Sequence, residues 1–167
     1  NRPAGLERTL DCILNQSYRY LEVIVSDNCS SDPAVVPILE KYVLQDKRVS
    51  FFIQEKNLSI VPNFQFLLDK ASGDFFMWAA DDDFWENNFI EVCVNGMLEN
   101  KDTSLCMTDL KIVDAEGKAH AGRLNRGFMQ DNLLARNFNF VKSTGETKYF
   151  FCGLYRTHAV KDIPFDN

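Results

Sequence analysis

Three consecutive aspartates, Asp81, Asp82 and Asp83, close an apolar run that extends from Phe75 to Ala80. Like charges at that range repel, and folding alone gains nothing from them. No Lys or Arg lies between Lys70 and Lys101, so nothing basic beside the triplet balances it. A divalent cation would relieve the repulsion. Carboxylates with no His or Cys beside them suit a hard ion, Mg²⁺ or Mn²⁺, which commonly keeps positions open for substrate phosphates. In an extended stretch residues i and i+2 point the same way, so Asp81 and Asp83 are expected to share one target while Asp82 faces elsewhere. The plain alternative is that these acids cap, or begin, the helix expected near Asn87. That accounts for one acid; three in a row at a strand end favour the metal. A second polar cluster, Asp27-Asn28, follows the β-branched run Leu21–Val25. It reads equally well as a binding pair or as Asx-turns in a loop.

The remaining reactive types offer less. His120 and His158 stand alone in the sequence, as surface or satisfied histidines do. Cys29 sits in the acidic loop, where neighbouring carboxylates raise a thiol pKa and argue against a nucleophile. The five cysteines are odd in number and lack metal-site spacing, so reduced thiols in a cytosol are the expectation. Trp85 follows the acids and has two readings, packing or flanking a sugar ring.

The elements that must position these acids alternate. Leu6, Leu10, Ile13 and Leu14 recur at helical spacing and predict a helix ending near Gln16-Ser17. A buried strand over Leu21–Val25 and the polar loop Ser26–Asp32 come next. Val36 precedes a proline and is disfavoured in the helical region, so the second helix is expected to start at Pro37. A strand over Arg48–Gln54 leads through the loop Glu55–Val61 to a helix opened by Pro62 and stopped at Ser72-Gly73. The strand Asp74–Ala80 is almost wholly apolar and is expected at the centre of a sheet. A helix over Asn87–Glu99, a strand over Thr103–Asp114 turning at Glu116-Gly117, a helix over Phe128–Phe140 and a strand over Lys148–Tyr155 complete the reading. This alternation predicts an α/β fold with a largely parallel sheet, mixed in its second half. In such folds ligands bind beyond the carboxyl ends of the strands, so the two acidic loops are expected on one rim.

Length and composition bound the reading. A chain of 167 residues, 46% apolar and 25% charged, fits one domain over 1–167 with its own core. Its net charge is −6, from 18 Lys+Arg against 24 Asp+Glu, which leaves no footprint for gripping phosphate backbones and speaks against nucleic acid. The longest apolar run is far too short to span a bilayer.

The ordered set of motifs resembles the family 2 glycosyltransferases with their GT-A fold. It is carried by Leu6–Gln16, Leu21–Asp32, Asp46-Lys47-Arg48-Val49, Asn57, Asn63, Ala71-Ser72-Gly73-Asp74-Phe75, and Ala80-Asp81-Asp82-Asp83 followed by Phe84-Trp85. The resemblance implies a Rossmann-type, GT-A-like domain and inverting transfer of a sugar from a nucleotide-diphosphate sugar, a UDP-sugar foremost. The acceptor would be a hydroxyl of a glycan or lipid-linked molecule, in cell-surface polysaccharide or glycan synthesis. Asp27 would hold the nucleobase, with Asn57, Asp81 and Asp82 on the nucleotide. The triplet would be the D-x-D element, with Asp83 first and Asp81 second as ligands of Mn²⁺ or Mg²⁺. The family's opening strand, which runs into an Asn like Asn1, is absent, and Ala80 stands where the family often has an Asp. The family's base falls near or past the end of the sequence, leaving Asp166, with Glu146 and Asp162, as candidates. The expected location is the cytoplasm, at the inner face of the membrane, with any membrane contact made through parts outside this chain. Two other readings stand beside it: a nucleotide-sugar-binding module without catalysis, and a Mg²⁺-dependent receiver-like signalling domain, whose acids would be expected nearer the N-terminus.

Overall fold

The computed structural model describes residues 1–113, 118–122 and 153–161. Helix α1 (Pro3–Leu14) begins at a proline, whose missing N–H has no helical partner to lose at that position. Strand β1 (Val23–Asp27), helix α2 (Val35–Gln45) and strand β2 (Val49–Ile53) follow. β1 and β2 pair in parallel, from Val23 against Val49 to Asp27 against Ile53. Helix α3 (Ile60–Lys70), strand β3 (Phe75–Phe76), helix α4 (Phe89–Glu99) and strand β4 (Leu105–Cys106) continue the alternation. After β5 (Leu110–Val113) and β6 (Ala119–Gly122) come β7 (Leu154–Arg156) and the short helix α5 (Thr157–Lys161). The chain forms two compact units, Asn1–Cys106 with Leu154–Asn167, and Met107–Gly153. The second is described here only through the antiparallel pair β5–β6, Leu110 against Gly122 to Val113 against Ala119. The predicted helix over 128–140 lies outside the described residues.

Two apolar clusters hold the first unit. Leu10 and Ile13 of α1, Val23 of β1, Leu39 and Tyr42 of α2 and Val49 of β2 form one. Ile90, Cys93, Val94 and Met97 of α4 gather with Leu154 of β7 in the other. Trp85 packs on both. The Tyr42 hydroxyl donates to Asp11 Oδ1 at 2.6 Å, tying α2 to α1. Arg156 closes the C-terminal end of α4: its Nη2 donates to the Met97 carbonyl at 2.6 Å, a group the helix itself leaves unpaired.

The alternation is present, but the parallel share is smaller than predicted. Among the described residues β1–β2 is the parallel pair, while β7 lies between β3 and β4 and runs antiparallel to both. The apolar stretch expected as a strand from Asp74 to Ala80 ladders only at Phe75 and Phe76. The expected strand Thr103–Asp114 breaks into β4 and β5. β1 runs two residues further than expected, so that Asp27 is itself a strand residue whose carbonyl accepts from Gln54 N–H at 2.9 Å. Both α2 and α3 start two residues before their prolines, Pro37 and Pro62. Each proline occupies the third helical position, within the first turn, where backbone N–H groups have no partner anyway. The preference of Val36 and Val61 against helical geometry is overridden there. The Asp32 carboxylate accepts from Ala34 N–H at 2.9 Å just before α2 begins.

Arg48 joins three elements. Its guanidinium meets Asp46 at 2.7 Å and donates to the Leu14 carbonyl at the end of α1 at 3.1 Å. The side-chain bonds from Arg48, then its backbone N–H, hold the Asp46 carboxyl down at about 2. A carboxyl whose folded pKa lies below its unfolded value stabilises the fold above the unfolded value and loses that contribution as pH falls through the folded one. Asp46→Asn is therefore expected to melt below wild type above about pH 4, the ordinary carboxylate value. The difference should shrink as pH approaches the folded value; melting curves over that range check it, and a constant difference counts against the pairing.

Candidate functional site

β1 ends at Asp27, and the chain then turns sharply through Asn28 and Cys29, the latter with a positive φ of 62°. Asp27 is 7% exposed. Both its oxygens accept from Ser30 N–H at 3.3 Å, closing the turn over the strand end. Asn28 lies flat against the next loop. Its Oδ1 accepts from Leu58 N–H at 2.8 Å, and its Nδ2 donates to the Ser59 carbonyl at 3.1 Å and to Asn57 Oδ1 at 3.3 Å. Asn57 in turn accepts from Ser59 N–H at 2.8 Å. Ser59, with φ 68°, is the other strained non-glycine residue among those described. Asn28 and Asn57 thus tie the loop after β1 to the loop that enters α3. Asn1 closes the opposite side: its Oδ1 accepts from the N–H groups of Ser31 and Asp32 at 2.7 and 3.1 Å.

The triplet is placed by α1. Gly5 packs so closely that a Cβ there would run into the Asp81 carbonyl oxygen. Thr9 Oγ1 donates to the Ala80 carbonyl at 3.3 Å. Beyond the acids the grip tightens. Cys12 Sγ lies 3.1 Å from the Trp85 carbonyl and accepts from Trp85 N–H at 3.3 Å. Gln16 is 1% exposed, and its amide donates to the Glu86 carbonyl at 2.9 Å while accepting from Ile90 N–H at 3.1 Å. One buried side chain therefore satisfies two backbone groups of the segment that enters α4.

Charge balance at the triplet comes from the far end of the chain. Arg2 donates from Nε to Asp81 Oδ2 at 3.0 Å and from Nη1 to Asp82 Oδ2 at 2.8 Å, and its Nη2 also pairs with Asp81 Oδ1. Asp82 first, then Asp81, raise the Arg2 pKa still further. The expectation that Asp81 and Asp83 share a target while Asp82 looks away rests on an extended chain. Here the chain turns at Asp81-Asp82, with Asp83 N–H donating to the Ala80 carbonyl at 3.3 Å, and the neighbours Asp81 and Asp82 share Arg2.

Asp27, Asn28, Ser30, Asn1, Arg2 and Asp81 all border one cavity of about 790 Å³ that runs along the whole of β1 to its carboxyl end. Asp82, Asp83 and Asn57 are not part of its lining. Among the described residues no three His, Cys, Asp or Glu side chains cluster closely enough to hold a metal by themselves. A hard ion that takes one or two carboxylates and completes its shell with water and phosphate needs no such cluster, and carboxylate oxygens are the right donors for it. Glu146, Asp162 and Asp166 lie outside the described residues. Cys93 has no role here: burial first, then Cys106, push its thiol up to about 12. The sequence reading missed Arg2, Gly5, Thr9 and Gln16. Arg2 carried no local signal, since its partners are 79 and 80 positions away.

With this geometry in hand the comparisons are decisive. The model of the family described as "Glycosyl transferase family 2" matches residues 1–163. The chain belongs to glycosyl transferase family 2. That membership sets aside the receiver-like reading. Over 87 residues it is 40% identical to a Campylobacter jejuni protein named GalNAc(5)-diNAcBac-PP-undecaprenol beta-1,3-glucosyltransferase, covering 50% of this chain and 27% of that one. Over 91 residues it is 36% identical to an uncharacterized glycosyltransferase of Haemophilus influenzae, covering 54% and 36%. It is also 29% identical over 94 residues to the putative teichuronic acid biosynthesis glycosyltransferase TuaG of Bacillus subtilis, covering 56% and 37%. The chain thus spans about a third of the length of these curated relatives. Among solved structures, S. aureus TarS 1–349 superposes with a TM-score of 0.67 at 19% identity, over 96% of this chain and 46% of that one. At that identity the likeness carries the fold alone, and the fold is the GT-A-like α/β arrangement the motifs imply.

Gly5 yields a direct test of how the triplet is held. Glycine inside a helix ordinarily costs about 0.5–1 kcal/mol against alanine. At Gly5 the sign should reverse: Gly5→Ala is expected to destabilise by roughly 1–3 kcal/mol, as overpacked sites do. Denaturant unfolding checks it, and a gain in stability would show that α1 does not press on Asp81.

Proposed function

We propose that this chain is the donor-binding part of an inverting transferase that moves a sugar from a nucleotide-diphosphate sugar to a hydroxyl of a glycan or lipid-linked acceptor. The observation that carries the reading is the meeting of Asp27 and Asp81 on one cavity at a strand end, in a chain of this family. An ionised carboxylate only accepts hydrogen bonds, so Asp27 selects a base that offers a ring N–H. Uracil does so between two carbonyls, and a UDP-sugar is the donor we favour. Ser30 N–H already fixes the carboxylate's rotamer, so little ordering remains at binding. Asn28 and Asn57 hold the loop against which the base rests.

The diphosphate lies toward the triplet, where acids alone would repel it. Asp83 and Asp81 are the residues that would hold Mn²⁺ or Mg²⁺, and such an ion stabilises charge on a leaving diphosphate. Arg2 offsets one of the two charges of Asp81 and Asp82 without it and offers guanidinium donors that suit phosphate oxygens. The acceptor hydroxyl attacks the face of the sugar opposite the leaving group, and a carboxylate takes its proton, a contribution of typically ~10²–10⁴-fold. Among the described residues no helix is long and apolar enough to cross a membrane. A location at the inner face of the membrane, where a lipid-linked acceptor is met, is the one we favour.

Calorimetric titration with UDP, with and without Mn²⁺, tests the assignment. Asp27→Ala is expected to weaken binding about 10–100-fold in both conditions, the value of a charged hydrogen bond. Asp83→Asn should leave metal-free binding intact and remove the Mn²⁺-dependent gain, about 10–100-fold. Equal affinities throughout would defeat the reading. A metal effect that survives Asp83→Asn but not Asp81→Asn would move the ligand assignment to Asp81. Arg2→Ala should tighten Mn²⁺ binding to the nucleotide-free protein, because the guanidinium and the ion compete for Asp81.

A further inference from the structure

The junction between α4 and β4 holds a pair of thiols that the candidate site does not use. Cys93 lies on the buried face of α4 with Ile90, Val94 and Met97 and has no exposed surface. Cys106, the last residue of β4, packs against the same cluster and is only half-buried. Its Sγ lies 3.5 Å from where a Cβ on Gly96 would stand. Gly96 follows Cys93 by three positions, so both lie on one face of α4. The Cys106 sulfur therefore rests on the helix one turn beyond Cys93, and the two thiols hydrogen-bond. Both cysteines are free.

A buried thiol commonly packs as a small apolar group. Here access, room and support give the pair a second capacity. Solvent reaches Cys106 but not Cys93, so a soluble reagent meets Cys106 first. Gly96 brings no side chain to the space beside the Cys106 sulfur, so nothing from that position blocks a swing toward Cys93. The backbones that carry the two sulfurs are already clasped. Cys106 pairs with Leu154 of β7, and Arg156 of β7 donates to the Met97 carbonyl of α4 at 2.6 Å and to the Thr103 carbonyl before β4 at 2.8 Å.

We infer that Cys93 and Cys106 form a modification site, at which a low-molecular-weight disulfide such as glutathione disulfide converts the two thiols to an intramolecular disulfide that staples α4 to β4. Cys106, as its thiolate, attacks one sulfur of glutathione disulfide. That S–S bond breaks, a bond from Cys106 to glutathione forms, and one glutathione leaves as a thiolate and takes up a proton. Cys93, as its thiolate, then attacks the Cys106 sulfur and releases the second glutathione. The two cysteines together lose two electrons and two protons, and one glutathione disulfide becomes two glutathione thiols. Burial first, then Cys106, push the Cys93 thiol up to about 12, so the second step is the slow one. Capping Cys106 removes its own share of that push. Reduced glutathione reverses both steps. Neither cysteine borders the cavity whose mouth carries Asp27 and Asp81, so the staple is independent of what that mouth binds.

The native protein is treated with glutathione disulfide, quenched in acid and mapped by tandem mass spectrometry without reduction. A peptide pair joined through Cys93 and Cys106 is expected, and dithiothreitol should remove it. Exposed Cys29 is the internal control, because it takes up glutathione in the same reaction. Cys106→Ser, at the half-buried position, should lose the link and keep the Cys29 adduct. Cys93→Ala should stop the reaction at the Cys106 adduct; should that variant fail to fold, the Cys106→Ser comparison still decides. Melting is compared in Cys29→Ser, which leaves no adduct beside the mouth. There the linked protein should melt roughly 5 °C above the reduced one, because the bond restricts the unfolded chain. A Cys29 adduct with Cys93 and Cys106 both unmodified, a Cys106 adduct that never closes, or a link that forms only in denaturant would each overturn the proposal. So would a linked protein that melts no higher than the reduced one.

Discussion

Everything at the candidate site depends on how α1 and the residues just after it grip the segment from Ala80 to Ile90. Three residues of that helix and one just past its end lie against it: Gly5 at Asp81, Thr9 at Ala80, Cys12 at Trp85, and then Gln16 between Glu86 and Ile90. The spacings are those of one helix face. None of these contacts is strong alone; a neutral hydrogen bond contributes about 0.5–1.5 kcal/mol net. Their effect is geometric. α1 also packs on β1 and α2 through Leu10 and Ile13, so the helix that holds the acids is held by the strand that carries Asp27.

That face explains what was legible in the sequence and what was not. The leucines of α1 announced a helix through their period, and the apolar runs announced β1, β2 and the strand before the triplet. The residues that aim the site are the ones between the leucines, and Gly, Thr, Cys and Gln carry no periodic signal. The helix was expected to end near Gln16 and ends at Leu14; Gln16, just beyond it, is nearly fully buried because both halves of its amide are engaged. The starts of α2 and α3 were misplaced for a related reason. A rule about the residue before proline describes an isolated dipeptide, and the first turn of a helix packed on a sheet outweighs it. Pairing was the least legible feature. The apolar stretch of β3 indicates burial on both faces but does not name a neighbour, and β7, its antiparallel partner, comes nearly eighty residues later in the chain.

The charge pattern was read correctly in sign and incompletely in space. An acidic triplet without a basic neighbour does need a counter-charge, and Arg2 supplies one from the other end of the polypeptide. Exposed pairs of this kind contribute little to stability, about 0–1 kcal/mol. Arg2 is therefore better understood by what it does to the field at the mouth. It lowers the negative potential a diphosphate would meet and keeps two of the three carboxylates together.

The two halves of the first unit make the remaining point about edges and ends. A sheet closes its edges by pairing, and a ligand site needs strand ends that stay open. At the mouth, Asp27 holds the Ser30 N–H, Asn1 holds the Ser31 and Asp32 N–H groups, and Arg2 holds Asp81 and Asp82, while Asp27 and Asp81 border the cavity. The end of β1 therefore offers oriented carboxylate acceptors whose geometry is set by the turn that follows the strand.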